Sequence, residues 1–129
     1  MAGTFKFELV TPERILLSED ATQVVVPGVD GDFAVLAGHA PVVSALRPGV
    51  VSATLGGGTK RILVKGGFVE IDGERLIVLA ERAVDLGTLE AAGLAAELQT
   101  AEAELAAAAT DAARYAAASA VDQLRALQR

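Results

Sequence analysis

Up to about Val84 the apolar residues come in short stretches, the first of them alternating with polar residues, set between turn residues, and beyond Leu86 they follow a helical period. Thr4-Phe5-Lys6-Phe7-Glu8-Leu9-Val10 puts Phe5, Phe7 and Leu9 on one face and Lys6 and Glu8 on the other, the pattern of a strand with one wet side. After Pro12-Glu13 a second strand begins at Ile15-Leu16-Leu17, a third runs from Ala21 to Val26, and further strands start at Phe33 and Val42. Val50–Leu55 and Lys60–Lys65 flank Gly56-Gly57-Gly58, and Phe68–Ile71 and Arg75–Ala80 flank Asp72-Gly73-Glu74, two hairpin signals. Short strands at this spacing, with turn residues throughout, predict an antiparallel β-sandwich or flattened barrel.

The second part of the chain is of another kind. From Thr88 to Arg129, seventeen of forty-two residues are alanine and none is proline. Alanine has the strongest intrinsic helix propensity, so two helices are expected, the first capped by Thr88 with Glu90 in its first turn. Leu94, Leu98, Ala101, Leu105 and Ala108 form one stripe. Thr110 or Asp111 caps a second helix, with Ala113, Ala117, Ala120, Leu124 and Leu127 at heptad spacing. The expected organisation is a β-domain over residues 1–85 followed by an antiparallel two-helix hairpin over 86–129. Alanine buries little area, so the hairpin is expected to be held weakly.

Composition narrows the function. A net charge of −6 argues against nucleic acid, which asks for a basic face. Without cysteine there is neither a disulfide framework nor a thiolate metal site. Met1 to Val10 lacks the apolar run of an export leader, and no apolar run reaches the roughly 18–20 residues of a membrane span, so any membrane association is expected to be indirect. The single histidine, His39, has no Ser-His-Asp or metal-spaced company, which favours a structural or interface role over catalysis. Gly56-Gly57-Gly58-Thr59-Lys60 lacks phosphate-loop spacing, and Lys60 opens a strand where a phosphate loop opens a helix. No catalytic residue, metal or cofactor is therefore expected. A ligand-binding β-sandwich is the competing class, but such a module normally presents an aromatic platform, and this chain has no Trp and one Tyr.

One stretch is more definite. The run from Gly31 to Val50, G-D-F-A-V-L-A-G-H-A-P-V-V-S-A-L-R-P-G-V, resembles the G-E-x-x-x-x-x-G-H-A-P-x-x-x-x-x-x-P-G pattern of the epsilon subunit of bacterial and chloroplast F-type ATP synthases. Thr11-Pro12-Glu13-Arg14, Gly66-Gly67-Phe68-Val69-Glu70-Ile71, Val78-Leu79-Ala80-Glu81 and Tyr115-Ala116-Ala117-Ala118-Ser119-Ala120 resemble further family motifs in the same order. The resemblance implies a sandwich of about ten strands and a non-catalytic rotor subunit that joins the central shaft to the membrane-embedded ring. It also implies a seat at the cytoplasmic face of the bacterial plasma membrane.

By the same resemblance, Asp32 matches the acidic residue that faces the polar loops of the c-ring. Gly28, Val29, Asp30, Gly31 and Asp32 are thus the expected ring contact, with Val42, Val43 and Ser44 beside it. His39, Ala40 and Pro41 match residues near the gamma subunit. Some relatives bind ATP through I/L-D-x-x-R-A in the first helix. The matching positions here read Leu86-Gly87-Thr88-Leu89-Glu90-Ala91, with Gly87 for the Asp and Glu90 for the Arg. A carboxylate where a cation would meet phosphate predicts that nucleotide does not bind. In inhibitory relatives the C-terminal helices reach the catalytic alpha/beta head. Here Arg114, Arg125 and Arg129 are offset by Asp111 and Asp122, so inhibition of ATP hydrolysis is not expected.

Overall fold

The computed structural model describes residues 3–87 and 91–127. Nine strands precede two helices: β1 Phe5–Val10, β2 Ile15–Gly28, β3 Gly31–Leu36, β4 Val42–Ala45, β5 Gly49–Leu55, β6 Gly58–Val64, β7 Gly67–Ile71, β8 Arg75–Ala80, β9 Ala83–Asp85, α1 Ala91–Ala107 and α2 Asp111–Leu127. Hydrogen bonding runs β4-β7-β8-β1-β2-β5-β6-β9, with β3 also on β2. All pairs are antiparallel except β1 with β8.

The strand β2 explains why nine strands fill a sandwich expected to have about ten. Its first half pairs with β1, and its second half lies between β3 and β5. The sequence reading placed separate strands at Ile15–Leu17 and Ala21–Val26; instead one 14-residue strand serves both layers. Thr22 is an extra residue in the ladder with β5, a β-bulge whose hydroxyl donates to the carbonyl of Thr54 at 3.3 Å. The bulge flips the inward phase: Leu17 and Ala21 are buried before it, Val24 and Val26 after it. One layer is β4-β7-β8-β1 with the start of β2, and the other is β3, the end of β2, β5, β6 and β9.

Phe7, Leu9, Val24, Val26, Val51, Leu76 and Val78 fill the space between the layers and are fully buried. Phe5, Phe7 and Leu9 face inward as the alternation predicted. Gly67 occupies a position closed to any other residue. Its φ is +129°, and a Cβ there would lie 1.9 Å from the Leu79 carbonyl oxygen.

The helices pack on the outer face of the second layer. Val50, Leu63 and Val84 are register partners across β5, β6 and β9 and point away from the sandwich core. With Leu86 they meet Leu98, Ala101, Ala120, Val121 and Leu124 of the hairpin. This is why Ile62-Leu63-Val64 reads as an unbroken apolar run: the strand is buried on both faces.

The predicted helix stripes hold in part. Leu98, Ala101, Ala117, Ala120 and Leu124 are buried. Ala113 is exposed, and Val121, outside the expected stripe, is buried at 3% exposure. Ala108 follows the end of α1 rather than lying in it. The Thr110 hydroxyl accepts the N–H of Ala113 at 3.0 Å and caps α2, settling the choice between Thr110 and Asp111. Thr88 and Glu90, and the side chain of Leu127, lie outside the described residues.

Ion pairs add to this docking. Lys65 meets Glu97 at 3.3 Å, Arg82 meets Glu104 at 3.3 Å, and Arg125 of α2 meets Glu102 of α1 at 3.2 Å. The Arg82 and Arg125 pairs are about half exposed, so each contributes at most about 1 kcal/mol. Burying a leucine contributes roughly 1.5–3 kcal/mol, so Leu63, Leu98 and Leu124 dominate.

Candidate functional site

Two surface features of the sandwich bear on the expected sites, and both involve β4. The first is the turn between β2 and β3. Gly28 pairs with Gly31, leaving Val29 and Asp30 as the two-residue tip, and the φ of +137° at Gly31 suits glycine. Val29 and Asp30 are exposed, Val29 at 55%.

Arg47 ties this turn down. Its Nη1 donates to the carbonyl of Gly28 at 2.6 Å, its Nη2 to Asp32 Oδ1 at 2.5 Å, and its backbone N–H to the carbonyl of Pro27 at 3.0 Å. The Val29 N–H donates to the carbonyl of Ala45 at 3.0 Å, and Gly28 bridges to Leu46. Asp32 is thus paired within the chain, and Asp30 is the carboxylate left at the tip. Sequence reasoning passed over Arg47. The signal for it was a lone cation among apolar residues, sixteen positions or so after two aspartates, and only the return of β4 brings them together.

The GHAP loop lies at the other end of β3. The His39 N–H donates to the Leu36 carbonyl at 3.1 Å, Gly38 has φ +81°, and the His39 ring stands 6.3 Å from that of Phe33. His39 Nδ1 lies 2.7 Å from the carbonyl oxygen of its neighbour Ala40. This contact of the imidazole is to local backbone, and it helps to shape the loop. Among the described residues no cluster of three or more His, Asp or Glu is placed to hold a metal ion. No described helix is long and apolar enough to cross a membrane.

The second surface is the outer face of the first layer, opposite the side that the hairpin covers. Ala45, Phe68, Leu79, Val10 and Ile15 are successive register partners across β4, β7, β8, β1 and β2. They form a single apolar row. Phe68 is 57% exposed, Leu79 47% and Ile15 61%. The next row carries Val43, 68% exposed, opposite Glu70, and then Ile77 and Glu8. Arg75 pairs with Glu8 at 3.6 Å beyond it. A wide strip with a charged border has the make-up of a protein interface.

The structure therefore divides the sequence-predicted sites. Gly28–Asp32 meets the Ala45 end of β4. Val42 and Val43, expected beside that turn, start β4 next to His39-Ala40-Pro41 and share their sheet with the apolar row. Phe68 and Leu79 were missed because the strands carrying them were read only as the arms of a hairpin, with no face assigned to either. The available signal was apolar side chains on both phases of Phe68-Val69 and Ile77-Val78-Leu79.

Of the positions that match the altered nucleotide motif, Leu86 and Gly87 are described, and Leu86 packs against the hairpin. Gly87 donates its N–H to Asp85 Oδ1 at 2.9 Å, and Glu90 lies outside the described residues.

Comparison with known proteins agrees with this architecture. Residues 4–86 match the family described as ATP synthase, Delta/Epsilon chain, beta-sandwich domain. ATP synthase epsilon chain 1 of Nitrobacter hamburgensis is 50% identical over 104 residues, covering 81% of this chain and 77% of that one. The ATP synthase epsilon chain of Rhodospirillum rubrum is 50% identical over 103 residues, covering 79% of this chain and 77% of that one. Among solved structures, a chain of the Euglena gracilis mitochondrial ATP synthase (OSCP/F1/c-ring) superposes with TM-score 0.77 at 23% identity, over 98% of this chain and 82% of that one. A chain of the Tetrahymena thermophila mitochondrial ATP synthase central stalk and c-ring gives 0.70 at 16%, over 99% and 98%. At these identities the two structures speak for the fold, whereas the matched β-sandwich family and the 50% identical relatives speak for descent. The chain belongs to the epsilon-chain family of ATP synthases.

Proposed function

We propose that the protein is a non-catalytic rotor subunit of a proton-translocating F-type ATP synthase, carrying rotation of the c-ring to the catalytic head. Its outer β4-β7-β8-β1-β2 face seats on the gamma shaft, with His39, Ala40, Pro41, Val42 and Val43 at one border. Its β2–β3 turn, Gly28–Asp32, meets the polar loops of the ring, with Ser44 between the two. The helical hairpin is the part directed towards the alpha/beta head. The whole subunit sits peripherally on the cytoplasmic face of the membrane and makes and breaks no bonds.

The observation that carries this reading is the apolar row from Ala45 to Ile15, which five paired strands carry and which the hairpin leaves bare. Torque transfer needs a stiff body with two separate contacts, and an antiparallel sandwich provides both. A stable seat on the shaft is expected to bury on the order of 1,200–2,000 Å².

The test is capture of purified gamma subunit by the full chain. Wild type is expected to retain gamma, and a Phe68→Asp, Leu79→Asp double variant with an unchanged melting profile is expected to lose it. Retention by the double variant would refute the assignment of this face.

A further inference from the structure

The corner between β4 and β5, Arg47-Pro48-Gly49, touches both the β2–β3 turn and the helical hairpin. On one side Arg47 holds the Gly28 carbonyl, the Asp32 carboxylate and the Pro27 carbonyl. Gly49 packs so tightly on Pro27 that a Cβ would lie 2.8 Å from the proline Cβ. On the other side the Ser119 hydroxyl of α2 donates to the Pro48 carbonyl at 3.2 Å, across 71 positions of chain. A small cleft brings Gln123 and Ala126 of α2 beside Asp32 and Arg47. The backbone here is pinned by a proline, a buried glycine and an arginine with three bonds, so little of it is free to absorb a displacement.

We propose that this corner is a mechanical link, through which the docked position of α2 and the order of the Gly28–Asp32 turn depend on each other. The Pro48 carbonyl has its α2 partner only while the hairpin is docked. When α2 leaves, the corner loses that anchor, and Arg47 is less firmly placed to hold the turn. Coupling of this kind is reciprocal: whatever docking adds to the order of the turn, an ordered turn adds to docking. The link stands on these contacts alone, whatever the turn binds.

Amide hydrogen exchange on the full chain tests it in both directions. Ser119→Ala removes the bond to Pro48 while favouring the helix. It is expected to speed exchange at Val29 and Arg47 by roughly fivefold, the factor carried by a typical net hydrogen bond. The Asp72–Arg75 turn, which shares no bond with the corner, is expected to stay unchanged, and Ser119→Thr to restore wild-type rates. Arg47→Met is expected to speed exchange along α2 near Ser119 and Leu124. If that variant loses its cooperative melt, Asp32→Asn replaces it and is read the same way. Ser119→Ala leaving Val29 and Arg47 within twofold of wild type would overturn the link. So would an Arg47 or Asp32 variant that disturbs only the turn.

Discussion

Arg47 and Asp32 lie 15 positions apart in the chain and are joined at 2.5 Å, so the carboxylate of the β2–β3 turn is paired within the chain. The carboxylate is 60% exposed, and an exposed pair contributes about 0–1 kcal/mol to folding. Its effect is therefore local: it aims the turn rather than holding up the sandwich.

Asp32→Lys puts a second cation against Arg47. Stability is expected to fall by no more than about 1 kcal/mol, while proton-driven ATP synthesis in membrane vesicles falls. Asp32→Asn, which keeps the shape without the charge, is expected to have a smaller effect. Normal coupling with the lysine variant would count against the turn as ring contact.

Gly67→Ala is expected to be far more harmful. The new Cβ would overlap the Leu79 carbonyl, and φ of +129° is itself strained for alanine. The join between β7 and β8 would have to shift, and a loss of at least about 3 kcal/mol is expected in urea unfolding. Gly57→Ala, at the tip of the β5–β6 hairpin where nothing lies within 4 Å, is the control and is expected to be nearly neutral.

Leu63→Ala is expected to loosen the hairpin while leaving the sandwich folded. Leu63 is fully buried, but on the helix side of β6 rather than in the sandwich core. A cost of about 2–5 kcal/mol is typical of such a truncation. Exchange and proteolysis are expected to rise in α1 and α2 first. Ile62→Ala, one residue away and facing inward, is expected to destabilise the sandwich instead.

ATP in the micromolar range is expected to leave the melting temperature unchanged, because Glu90 stands where nucleotide-binding relatives place an arginine. Gly87→Asp together with Glu90→Arg restores the motif and is the variant in which a shift is expected. A shift in the wild-type protein would overturn the prediction.

The sequence by itself determined the architecture of this protein. Alternation at Phe5, Phe7 and Leu9, turn chemistry at Gly31 and Asp72-Gly73, and the alanine-rich tail after Leu86 are local signals, and local backbone preference decides such elements. Tertiary structure decided how the elements serve one another. The Thr22 bulge merged two expected strands into one because pairing with β5 set its register. The helices chose the Leu63 face because Val50, Leu63 and Val84 align only once three strands have paired. The row from Ala45 to Ile15, and the clasp of Arg47 on Asp32, draw together residues that no local period connects. Contact surfaces of this kind are properties of register and of chain return, and these come into being only when the sheet closes.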